Sequence, residues 1–160
     1  MKTLAFEEEY IYLKRKYNRL MLTTEDTAHE IGIEKPTLEF RVSCGKNLPP
    51  YLKLKDSPSS KNHYNIFDVA YFLNTDSKGT LPIADREKYI KDYIITKYSR
   101  LTLCRKELAY ELNISVNSLG WHIKNNISLK YKRNGVSKSA PVTFTAIDIS
   151  KFLSVVVETI

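Results

Sequence analysis

A chain of 160 residues is long enough for one ordinary domain or two small ones, and a formal net charge of +7 inclines it toward a polyanionic partner. Its two cysteines, Cys44 and Cys104, exclude a disulfide scaffold and point to a reducing cytosol. No apolar run reaches the ~20 residues that span a bilayer and no segment reads as a targeting peptide, so a soluble, cytoplasmic, nucleoid-associated protein is expected.

The first predicted element is a helix with Leu13, Tyr17 and Leu20 along one face, opened by the acidic run Glu7-Glu8-Glu9, which suits the positive end of a helix. In Leu22-Thr23-Thr24-Glu25-Asp26 the Thr23 hydroxyl can accept from the Asp26 N–H while Asp26 answers back, a capping box that starts a short second helix. Gly32 ends that helix, because glycine takes the left-handed conformation of a tight exit without strain. Ile33 and the cap position Glu34 come next, then a third helix with Leu38 and Val42 on its inner face, while Ala28 lets the two short helices cross closely. A small residue, a turn former four on, an apolar residue and an apolar pair make helix-turn-helix spacing. Tyr51-Leu52-Lys53-Leu54-Lys55 then alternates with period two, Asp56 to Ser60 breaks it, and His63-Tyr64-Asn65-Ile66 reads as a returning strand. The result is a hairpin wing with basic residues outward, closed by a short helix over 68–74.

Residues 97–123 repeat residues 16–42 at an offset of 81, with nine of 27 pairs identical: Lys97/Lys16, Tyr98/Tyr17, Arg100/Arg19, Leu101/Leu20, Leu103/Leu22, Ala109/Ala28, Glu111/Glu30, Ile114/Ile33 and Leu119/Leu38. After one deletion the match resumes at offset 80, where Phe67 to Leu73 meets Ile147 to Leu153, so the unit that repeats is a domain of roughly 70 to 75 residues. Three segments are expected: a first domain over 1–75, a linker over 76–85 and a second domain over 86–160. In the second copy Ile90, Ile94, Tyr98 and Leu101 line the opening helix, after the break at Pro82 to Asp85. Cys104 replaces Thr23 as the cap, a poorer one, with Glu107 retained three residues on, so this helix start should lean on tertiary packing. Asn113 replaces Gly32, Ser115 takes the next cap position, and Leu119 and Ile123 face inward. Ser128 to Arg133 and Val142 to Thr145 are the expected wing strands, and 148–157 the closing helix. The two cysteines fall at non-equivalent places and read as packing residues.

Charge separates the copies: residues 1–80 carry 12 Lys/Arg against 11 Asp/Glu, and residues 81–160 carry 13 against 7. The second copy is the better partner for a polyanion.

The wording Leu22-Thr23-Thr24-Glu25 to Gly32-Ile33, Thr37-Leu38, Gly45-Lys46-Asn47-Leu48-Pro49-Pro50 and Phe67-Asp68-Val69-Ala70-Tyr71-Phe72-Leu73 resembles the MerR-like winged helices of phage and plasmid excisionases and their small activator relatives. The resemblance covers most of the first copy; in the second, Lys124-Asn125-Asn126-Ile127 replaces the glycine-to-proline phrase and the assignment rests on the internal repeat. It implies an α+β fold, mainly α with small β-hairpin wings, in two tandem winged helix-turn-helix domains. It also implies sequence-selective binding of double-stranded DNA, with a recognition helix in the major groove and a wing on the backbone or minor groove.

The residues expected to carry that function fall in two groups. On the recognition helices they are Ser115, Asn117, Ser118, Trp121, His122 and Lys124, with Lys35, Thr37 and Arg41 in the first copy, where Glu34 and Glu39 would face phosphates unfavourably. Asn can bond adenine bidentately, Ser accepts either base type and Lys124 can take a phosphate. Trp121 stands opposite Phe40 in the repeat, and this aromatic pair favours packing over base contact; His122 is expected to be packed. On the wings the candidates are Lys130, Lys132, Arg133 and Lys138, and Lys53, Lys55 and Lys61. Arg19 and Arg100 could hold a phosphate but favour a structural role at the preceding helix. The apolar C-terminal stretch, with Phe152, Val155 and Val156, offers a clasp or a seam for self-association or a protein partner.

Catalysis finds no footing. There is no phosphate-cradling glycine pattern, no His-Glu-x-x-His and no nucleophile elbow, and His29, His63 and His122 lack ligand spacing, so neither an enzyme nor a cofactor or metal site is expected. The function expected is that of a transcription regulator or recombination accessory factor of a mobile element. Two alternatives stand beside it: winged helices turned toward a protein partner, and a plasmid-type replication initiator, for which the longer dimerising helix is missing.

Overall fold

Helix, strand, helix, helix, strand, strand, helix is the order of elements, and it occurs twice. The computed structural model describes residues 4–53, 61–74, 81–125, 129–137 and 139–154. Among them are α1 (Leu4–Tyr17), β1 (Met21–Leu22), α2 (Thr24–Ile31), α3 (Lys35–Cys44), β2 (Leu52–Lys53), β3 (Asn62–Asn65) and α4 (Ile66–Asn74). The second series is α5 (Ile83–Tyr98), β4 (Thr102–Cys104), α6 (Arg105–Leu112), α7 (Val116–Asn125), β5 (Lys132–Arg133), β6 (Val142–Thr145) and α8 (Ala146–Ser154). The chain divides into two compact units between Leu81 and Pro82. Each is mainly helical with one small antiparallel sheet, an α+β composition.

Local chemistry sets the helix ends. The Thr23 hydroxyl accepts from the Asp26 N–H at 3.1 Å, and the Thr27 hydroxyl donates back to the Thr23 carbonyl at 2.8 Å, so α2 starts where expected. At α6 the reciprocal half of the box is formed: the Glu107 carboxylate accepts from the Cys104 N–H at 2.9 Å. Gly32 (φ 78) and Asn113 (φ 60) leave α2 and α6 in the left-handed region, and in each case the cap N–H reaches back to the carbonyls of the last turn. Asn18 (φ 50) and Ser99 (φ 55), equivalent in the repeat, end α1 and α5 the same way.

Both sheets have three strands, in the orders β1-β3-β2 and β4-β6-β5. Met21 pairs with Asn65 and Leu22 with Tyr64, while Leu52 lies opposite His63. In the second unit Leu103 pairs with Phe144, and Thr143 is flanked by Cys104 on one side and Lys132 on the other. The strands β1 and β4 correct the expectation of plain hairpins. Two or three residues show no alternation to read, and they become strand because the returning limb of each hairpin lies beside them. The ladder runs on into the closing helix, where Ile66 N–H donates to Leu20 O at 3.0 Å and Ala146 N–H to Leu101 O at 2.8 Å.

Phe6, Leu13, Leu20, Leu22, Leu38 and Phe67 are among the buried apolar residues of the first unit, with Phe6 edge-on to Tyr71 at 6.0 Å where α1 meets α4. Ile90, Ile94, Leu103, Leu119, Phe144 and Leu153 are among those of the second. Each such side chain contributes about 2 kcal/mol by leaving water. Three expectations are corrected. Neither Leu20 nor Leu101 continues a helical face, because α1 stops at Tyr17 and α5 at Tyr98; Leu20 is nevertheless buried, whereas Leu101 is 64% exposed. Ile83, Ala84 and Asp85 belong to α5 rather than to a linker. The closing helices begin at Ile66 and Ala146, two residues early, and 155–157 lie outside the described residues.

Candidate nucleic-acid interface

Ser115 accepts from the Ser118 N–H at 3.0 Å and so holds the start of α7, as an N-cap does. Beyond it α7 carries no Asp or Glu. Asn117, Trp121, Lys124 and Asn125 are exposed and Ser118 is half-exposed, while Leu119 is buried beneath them. Asn125 spends its amide on the Trp121 carbonyl at 2.8 Å. His122 turns inward and is 6% exposed, so it leaves the candidate set for contact from this helix. Trp121 is 47% exposed, with its ring edge-on to His122 at 5.1 Å.

The hairpin of the same unit presents Lys130 and Lys132 to solvent. Arg133 is tied into the hairpin itself: its Nη1 donates to the Ala140 carbonyl at 3.4 Å and its guanidinium lies over the Tyr131 ring at 6.0 Å. Lys138, also a candidate, lies outside the described residues.

The corresponding surface of the first unit is built differently. Lys35 sits 3.9 Å from Glu39, and Arg41 donates to the Asn47 carbonyl at 3.0 Å, so two of the three candidates on α3 already have partners. Thr37 is exposed, and so are Glu34 and Phe40, the latter 67% exposed. Glu34 starts α3 without a side-chain cap bond. Lys53 and Lys61 are exposed, and Lys55 lies outside the described residues.

Arg100 has a structural role: its Nε donates to the Thr102 carbonyl at 2.9 Å, and it pairs with the Glu107 carboxylate. Burial would raise the Glu107 carboxyl, but the Cys104 N–H and Arg100 outweigh it and hold it below the usual carboxylate range. Phe152 is buried, which removes it from any exposed seam, and Val155 and Val156 lie outside the described residues.

One arrangement went unread in the sequence. In the first unit the Glu30 carboxylate accepts from Lys16 at 2.6 Å and from Tyr17 at 2.7 Å, and Lys16 also donates to the Tyr12 hydroxyl at 3.2 Å. In the second, Glu111 accepts from Lys97 at 2.5 Å, from Tyr98 at 2.6 Å and, on its other oxygen, from Tyr93 at 2.8 Å. This clasp fastens the long opening helix to α2 or α6, on which α3 or α7 rests. Burial pushes the Glu30 carboxyl up, but the bonds from Lys16 and Tyr17 prevail and lower it. The signal was available: Lys16/Lys97, Tyr17/Tyr98 and Glu30/Glu111 are three of the identities in the repeat, and Tyr12/Tyr93 falls at the same offset.

No group of His, Cys, Asp and Glu among the described residues could hold a metal ion, and no described helix is long and apolar enough to cross a membrane. Compared with protein-family models, with characterised proteins and with solved structures, the chain has no match.

Proposed function

We propose that the chain is a tandem pair of winged helix-turn-helix modules that binds double-stranded DNA, and that the second module does most of the binding. The observation that carries this reading is the surface of α7: a helix without a single carboxylate, with Asn117 and Lys124 exposed and Ser118 half-exposed, in a unit whose hairpin adds Lys130 and Lys132. A phosphate backbone repels carboxylates and recruits cations, and hydrogen-bonding side chains on an exposed helix are the groups that read base edges. Regulation of transcription or assistance to recombination on a mobile element is the role we assign to such a protein.

A second reading applies to the first module. With Glu34 and Glu39 exposed, Lys35 and Arg41 already partnered and Phe40 projecting, α3 suits a protein surface better than a phosphate backbone. Binding to a random-sequence duplex, measured by fluorescence anisotropy from 50 to 200 mM salt, tests both. Replacing Lys130 and Lys132 by Ala should weaken binding and flatten the salt slope by about one unit for each phosphate no longer neutralised, whereas replacing Lys53 and Lys61 should change it less. Equal slopes in all three proteins would reject the hairpin assignment.

A further inference from the structure

A groove of about 340 Å³ opens in the second unit between the start of α6 and the returning limb of the hairpin, lined among others by Cys104, Arg105, Lys106, Ser139 and Pro141. Arg105 and Lys106 stand side by side on its wall, and neither has an acidic partner among the described residues. The adjacent carboxylate, Glu107, is already held by Arg100 and by the Cys104 N–H. Two neighbouring cations left unneutralised raise the local potential and favour a bound anion. The repeat makes the feature specific to this unit, since the equivalent positions in the first are Thr24 and Glu25, a change from −1 to +2 at the same place in the fold.

The sheet connects this groove to the hairpin cations. Cys104 lies opposite Thr143, and Thr143 opposite Lys132, so Arg105 follows a residue only two strand spacings, about 10 Å, from exposed Lys132. We infer that the groove is a phosphate seat, in which Arg105 and Lys106 hold a backbone phosphate of the same duplex that Lys132 touches. It rests on the DNA-binding reading above. Arg105 brings the planar fork that meets two phosphate oxygens at once, and Lys106 adds a point charge.

The test uses the full chain and a random-sequence duplex over the same salt range. Arg105→Ala with Lys106→Ala should lower the salt slope by about one unit, for the one phosphate no longer neutralised, and weaken binding roughly tenfold or more at low salt, while Arg105→Lys with Lys106→Arg keeps the wild-type slope. An unchanged slope in the double alanine variant, when Lys130→Ala with Lys132→Ala flattens it, overturns the seat and leaves the DNA reading standing. Absence of wild-type binding at 50 mM salt overturns both. Inorganic phosphate provides the third arm: if it raises the thermal midpoint of the wild type but not of the double alanine variant, and duplex slopes are equal, the groove serves a free anion and the inference fails.

Discussion

Glu111 accepts three hydrogen bonds with its side chain 1% exposed, whereas Glu30, doing the same work in the first unit, is 9% exposed and its lysine 36%. A charge-assisted bond inside a protein is stronger, and its removal leaves its partners stranded, so depth decides the effect. Glu111→Gln should therefore cost about 3 kcal/mol in urea denaturation and Glu30→Gln distinctly less; equal losses would contradict this account of the clasp. Acid should act through the same groups. Glu30 and Glu107 have folded-state pKa values below 4.5, so their stabilisation is complete above that pH and drains away as pH falls through the folded values. Glu9 opposes them, its carboxyl raised first by burial and then by Glu30 nearby. Thermal midpoints recorded from pH 6 to pH 3 should fall less steeply for Glu30→Gln than for the wild type. The lysine and glutamate of the clasp could not be paired from the sequence, because Lys16 and Glu30 are separated by 14 positions. The repeat marked them as retained without saying what they touch.

The helix exits were legible for a simpler reason. Gly32 and Asn113 are the residue types that tolerate positive φ, and each follows an apolar pattern that stops there. Gly32→Ala should destabilise the first unit by about 1 kcal/mol, and Asn113→Gly should change the second by a smaller amount of opposite sign, both read from denaturation midpoints. A neutral Gly32→Ala would mean that the exit is set by packing and not by conformation. The strands β1 and β4 were not legible, being two and three residues long and defined only by what lies beside them. Leu20 and Leu101 failed in another way: Asn18 (φ 50) and Ser99 (φ 55) break both opening helices before the apolar period is finished, and beyond those breaks Leu20 is buried while Leu101 is exposed. The candidate reading helix divides likewise. Spacing located α7 and its inner leucine, and His122 is packed as expected, but spacing could not tell how far Trp121 would remain exposed.

Across the full chain the two units share one element order but not one surface. The net charge of +7 is carried almost wholly by residues 81–160, and α6 and α7 of that unit show where it goes: Arg105, Lys106 and Lys124 stand where the less basic copy has Thr24, Glu25 and Ser43. On the proposed function, duplication followed by a division of labour would account for this pattern, since a second copy of a core needs the same apolar positions and leaves the outside free to change. Backbone amide shifts of the intact protein, followed by NMR while a random-sequence duplex is added at 50 mM salt, test the proposal most directly. The account predicts that the largest changes fall on residues 115–125 of α7, on Lys130 to Arg133 and at the start of α6, with α3 little affected. Changes confined to α3, or none at all in the second unit, would contradict it.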